Sequence, residues 1–160
     1  MIRARAIWVI YFTLFLALLV MLLPFSIEWR SFKPDIVALA LFYWVLALPH
    51  RVGIATAFAV GLAQDLVEGA PLGLSSPGLM LATLLLLFSY QRIRQYDGPQ
   101  QSGVVLVLLL LSTGVEQWLR NGAGVPVVPL SALLGLVVSM LCWMPIRTAL
   151  RYSRRYYEVY

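Results

Sequence analysis

The chain has 160 residues, of which 61% are hydrophobic and 12% charged, with a mean hydropathy of +0.85. Soluble domains hold about 45–50% apolar and about 25% charged residues, and a small fold leaves much of its surface exposed, so a water-soluble globule is excluded. The net charge of +5 does not indicate nucleic acid, because the basic residues sit in short segments between apolar runs, as expected of a multispanning chain.

Six apolar runs, residues 7–23, 35–49, 52–68, 76–91, 103–119 and 129–146, predict six transmembrane helices in one all-α bundle, with a basic tail over 147–160. The whole of 1–160 is expected to form a single polytopic domain. A span takes roughly 17–25 residues, so the second and fourth runs are short and draw on flanking residues. The first run follows Arg3 and Arg5 and imitates a secretory signal, but it exceeds the usual core of about 7–15 residues and ends in LLPFSIEW without a small-residue cleavage site. A retained helix is expected.

With the N-terminus placed inside, Arg3, Arg5, Arg51, Arg92, Arg94, Arg147, Arg151, Arg154 and Arg155 fall on the cytoplasmic side, against Arg30, Lys33 and Arg120 outside. This bias predicts both termini in the cytoplasm. Trp8, Tyr90 and Trp143 fall near inner ends of the runs, and Trp29 and Trp118 near outer ends, the depths where amphipathic rings gather. Cys142 is the lone cysteine, so no intrachain disulfide forms, and it is expected as a small core residue.

The third run closes on GLAQDLVEGAPLG, an acid-bearing stretch in an otherwise apolar setting. Gly53, Ala57, Gly61, Asp65 and Gly69 recur every fourth residue, and Gly73 continues the count; Ala55, Ala59 and Ala63 lie beside them. Positions four apart share a helix face, so one flank is nearly bare of side chains and admits another backbone, from within the bundle or from a partner. Asp65 stands on that flank. Thirteen residues at about 1.5 Å each lift it roughly 20 Å, into the outer third of a ~30 Å hydrocarbon core, where a lipid-facing carboxylate is costly. Glu116, on the fifth run, reaches the same level, with Arg120 four residues on as its partner. If the third and fifth helices touch, Asp65, Glu116 and Arg120 form an outer polar cluster.

Three uses of that acid are weighed: catalysis, passage of an ion or solute, and a packing site. His50, the single histidine, sits at the opposite end in the turn Pro49-His50-Arg51, and no metal-ligand spacing or phosphate-binding glycine loop is present. No enzyme activity and no cofactor are expected. One level of carboxylate offers a site without a second rung toward the cytoplasm. In the tail, Arg147, Arg151 and Arg155 are spaced four apart beside Arg154, with Tyr152, Tyr156 and Tyr157 interleaved. As a helix this is an anchor on an anionic inner leaflet or a docking site for a cytoplasmic partner. Arg51 is expected at headgroups, and His50 as a capping or hydrogen-bonding residue.

The stretch Phe32 to Gly73 resembles the MreD family of rod-shape proteins. The resemblance rests on Pro34-Asp35, Tyr43-Trp44, Leu48-Pro49-His50-Arg51, then Gly61, Asp65, Gly69 and Leu72-Gly73. It implies a non-enzymatic subunit of the elongasome in the bacterial inner membrane. The implied partners are MreC, the actin-like MreB filament, the glycosyltransferase RodA with its partner transpeptidase, and membrane lipids. The implied fold is similar to the S components of energy-coupling-factor transporters, six helices around a polar pocket. Two functions follow: a scaffold that binds MreC and supports lateral peptidoglycan synthesis, or a transporter-like small-molecule or lipid binder with a pocket at Asp65 and Glu116. A binder needs a cavity reaching both acids; a scaffold fills that space with side chains.

Overall fold

A computed structural model describes residues 7–24, 26–126 and 129–157; Arg3 and Arg5, counted above for orientation, lie outside them. Among the described residues the chain is all-helical, with six α-helices: α1 (Ile7–Met21), α2 (Ile36–Ala47), α3 (Ile54–Glu68), α4 (Ser76–Ile93), α5 (Gly98–Gly122) and α6 (Leu133–Tyr156). Short 3-10 helices at Ile27–Phe32 and Leu130–Ala132 lead into α2 and α6. The helices fall on the six apolar runs. Two of them, within 98–122 and 130–156, are long and apolar enough to cross a membrane, while α1 and α2 are shorter apolar helices. The fifth and sixth helices outrun the expected spans, and the basic tail continues α6 as far as Tyr156.

Local chemistry explains the boundaries. The Asp35 side chain accepts the N–H of Ala38 at 3.0 Å and caps α2, satisfying one of the orphan donors of its first turn. At the other end Leu48 precedes Pro49, and a residue before proline is steered away from the helical region. Pro77 and Pro99 occupy the first turns of α4 and α5, where a missing N–H costs nothing. Helix α3 ends on Gly69 in the left-handed conformation (φ 66°), with the N–H of Ala70 on the Asp65 carbonyl at 2.9 Å, the double-bonded glycine cap of helix C-termini.

Helix α2 is the axle. Every residue from Val37 to Leu46 is buried, and α2 touches each of the other five helices. Around it run α1, α3, α4, α5 and α6, each packed on the next, while α1 and α6 make no contact with one another. Polar ties fix the axle to its neighbours. The Trp44 indole N–H donates to Thr13 Oγ1 on α1 at 2.8 Å, and the Asp35 N–H donates to Ser139 Oγ on α6 at 2.9 Å. Lys33 reaches the Met21 carbonyl at the end of α1 at 2.6 Å. Trp143, expected among the interfacial rings, is instead fully buried, because it lies on the face of α6 that meets the interior. Trp8, Trp29 and Trp118 are exposed.

Candidate functional site

The small-residue flank of α3 divides into three parts. Ala57, Gly61 and Asp65 are buried on the side where α3 meets α4. A Cβ at Gly61 would stand 2.6 Å from Ser76 Cα and 2.9 Å from Ser76 N, so the flank is occupied by this chain's own fourth helix. The Ser76 hydroxyl donates across the crossing to the Phe58 carbonyl at 3.3 Å. Gly53 is the N-terminal cap of α3 with open space around it, and Gly69 and Gly73 belong to the following turn, both with positive φ (66° and 92°). The opposite side of α4 repeats the device: a Cβ at Gly78 would crowd the Ser112 backbone of α5, 3.1 Å from its Cα. Helix α4 is thus clasped at its start between α3 and α5.

Asp65 is completely buried. Its carboxylate accepts the N–H of Gly73 at 2.8 Å and of Ser75 at 3.1 Å, while its own carbonyl receives Ala70. One residue therefore organises the whole turn 69–75 and sets the entry of α4.

The outer polar cluster has a different membership from the one the sequence groups. Helices α3 and α5 make no direct backbone contact, because α4 lies between them. Glu116 and Arg120 do pair on α5, at 2.8 Å, with side chains 18% and 12% exposed, and a second bond runs from Arg120 Nε to Glu116 at 2.9 Å. The acids within electrostatic reach of that pair are Glu68 on α3 and Asp35 at the start of α2. Asp65 has turned to its loop. The Gln64 amide donates to Glu68 at 3.3 Å, and Ser139 joins from α6, accepting the Asp35 N–H at 2.9 Å. Four helices thus meet in a polar cluster of mixed charge at one end of the bundle. Among the described residues no group of acids, histidines or cysteines is arranged to hold a metal ion.

Sequence reasoning passed over Gln64 and Ser139, and gave Glu68, the second acid of its stretch, no place in the cluster. Their signal was available: Gln64 and Glu68 are four apart on α3, and Asp35 opens α2 on the same level.

The opposite end gathers the basic residues. The turn Pro49-His50-Arg51 is closed by the Arg51 N–H on the Leu48 carbonyl at 3.0 Å; His50 is exposed. Arg51 lines a cleft of about 130 Å³ with Ile7, Ile10, Tyr11 and Val52, which sets its stem against α1. Arg147, Arg151, Arg154 and Arg155 lie on the last three turns of α6, with Arg151 and Arg155 exposed and Arg147 and Arg154 half-buried. Tyr152 and Tyr156 stack beside them, ring centroids 6.4 Å apart.

Comparison with known proteins matches residues 2–153 to the model of the family described as rod shape-determining protein MreD. A rod shape-determining protein MreD from Haemophilus influenzae is 27% identical over 140 residues, covering 88% of this chain and 86% of that protein. No solved structure matches the chain significantly.

Proposed function

This chain belongs to the MreD family of rod shape-determining proteins, and from that premise we propose that it is a non-enzymatic scaffold of the elongasome. It acts in the bacterial inner membrane as a six-span protein with both termini in the cytoplasm. MreC is its direct partner, and RodA with its transpeptidase and the MreB filament belong to the same assembly, which directs lateral peptidoglycan synthesis. The observation that carries this reading is the family match across nearly the whole chain. Helices ringed around a buried axle agree with it.

The bare flank of α3 is spent on α4, so a partner helix docks elsewhere. The outward stripe of α1, with Trp8, Tyr11, Phe12 and Phe15 exposed at helical spacing, offers large apolar side chains at the edge where α1 and α6 do not meet. The competing reading, a small-molecule binder at Asp65 and Glu116, has less support, since the Asp65 carboxylate is filled by backbone amides.

The test is complementation. In a rod-shaped bacterium depleted of its own MreD, this chain restores rod shape and recovers MreC on purification. Phe12→Ala/Phe15→Ala, present at normal level, loses both. Round cells with the wild-type chain at normal level would refute the scaffold role.

A further inference from the structure

At the basic end a cavity of about 180 Å³ opens between the ends of α2, α4, α5 and α6. Four guanidinium groups line it: Arg94 from the end of α4, and Arg147, Arg151 and Arg154 from α6. No acidic residue is among its lining, and none of the four arginine side chains has an ion pair or hydrogen bond among the described residues. At its floor are two buried groups with no partner. The Tyr43 hydroxyl and the Trp143 indole N–H make no hydrogen bond, on side chains 6% and 0% exposed.

These features belong together physically. Like charges gathered in a partly enclosed space repel one another, and that repulsion is relieved only by an anion or by water. Buried polar groups are otherwise almost always bonded. Tryptophan can only donate, and tyrosine can donate, so both orphans suit the same acceptor that four arginines suit. Gln101 also lines the cavity, but its amide is already committed to the Ile93 carbonyl at 2.8 Å. A planar guanidinium fork matches phosphate oxygens in pairs.

The geometry points to a binding site for a phosphate-bearing anion, filled by the headgroup of an anionic phospholipid. The surroundings favour lipid over a docked peptide. The cavity is too confined for a helix about 10–12 Å across. Leu141, Met144 and Tyr152 are exposed on the same helix that carries three of the arginines, apolar and aromatic surface suited to acyl chains and the interface. A surface anchor would need only charge; this site adds two buried neutral donors that a surface anchor does not use. The site is independent of the scaffold reading and stands or falls without it.

Native mass spectrometry of the purified full chain tests it, using phosphatidylglycerol, phosphatidylcholine and inorganic phosphate as probes. Phosphatidylglycerol should be retained preferentially over phosphatidylcholine. Arg147→Gln/Arg151→Gln should weaken that retention by about tenfold or more, since losing one charge-assisted bond to phosphate costs roughly tenfold. Arg92→Gln/Arg155→Gln removes the same charge from the same end outside the cavity and should leave retention nearly unchanged. Tyr43→Phe, which alters no charge, should weaken retention without lowering the unfolding temperature. Inorganic phosphate that displaces the lipid at equal concentration would assign the same site to free phosphate. Equal losses in the two paired variants would reduce the effect to surface charge and overturn the site. Equal retention of the two lipids, or displacement by an acidic peptide but not by phosphate, would overturn it too.

Discussion

Gly61 and Ser76 mark a close approach of α3 to α4, near enough that a single added methyl at 61 would stand 2.6 Å from the Ser76 Cα. Real Cβ atoms do not come so close to backbone, so Gly61→Ala must push the helices apart. Overpacking of this kind costs about 1–3 kcal/mol, and thermal unfolding in detergent should register it as a clear loss. Gly114→Ala, with open space around the new methyl, should be neutral or gain about 0.5–1 kcal/mol through helix propensity. Equal behaviour of the two variants would mean that α3 and α4 do not cross at Gly61.

Asp65 makes a second prediction from its two backbone acceptor bonds. Asp65→Ala strands the buried Ser75 N–H and frees the Gly73 N–H, and should cost about 1–3 kcal/mol, the range for a buried donor left unsatisfied. Asp65→Asn keeps one carbonyl acceptor and should lose less. The damage should be local first: limited proteolysis should cut the turn 69–75 faster in Asp65→Ala than in the wild type. A turn that stays protected would show that the carboxylate is not what closes it.

The helices and the buried acid were legible in the sequence for different reasons. Apolar runs broken by Pro34, Pro49 and Pro77 report helices directly, because a membrane or a dense core leaves few alternatives to a hydrogen-bonded helix. Four-residue spacing correctly placed Ala57, Gly61 and Asp65 on one face, and the buried state of that face follows from its bareness. What spacing along one helix cannot supply is the neighbour. The choice of α4 over α5 as the helix beside α3 is made by Ser76 and Gly78, small residues whose meaning emerges only when both sides of α4 are seen together. Hence Glu68 lies within reach of Glu116, while the Asp65 carboxylate is taken up by the turn 69–75. Trp143 was misread for a related reason: its depth along α6 is readable, but the direction it faces is not.

The Glu116–Arg120 pair yields a third prediction. Arg120 is paired to Glu116 with Glu68 and Asp35 within electrostatic reach. Removing the cation leaves the part-buried Glu116 carboxylate without its counter-ion, so Arg120→Gln should destabilise the bundle. Breaking a well-buried pair costs about 3–5 kcal/mol; partial exposure here brings the expected loss for Arg120→Gln nearer 1–3 kcal/mol. The double variant should be milder than the sum of the singles, because neither partner is left alone. Additive losses in chemical unfolding would show that the two side chains act separately.

The last prediction concerns the helix held least firmly. Helix α1 packs on α2 and α3 but not on α6, and its middle is pinned by the Thr13 hydroxyl. That oxygen accepts from the Trp44 indole at 2.8 Å and donates to the Ile10 carbonyl at 2.9 Å. Thr13→Val keeps the branched shape but leaves the indole N–H of a fully buried Trp44 without an acceptor, at a cost of about 1–3 kcal/mol. Thr13→Ser retains the hydroxyl and should recover most of that loss. Because α1 is an edge helix, the loss should appear as faster hydrogen exchange in Ile10–Ala17 ahead of global unfolding. The core amides of α2 should stay protected until the whole bundle opens. Simultaneous exchange of α1 and α2 would mean that the Thr13–Trp44 bond belongs to one cooperative core, and that α1 is no more detachable than the axle it leans on.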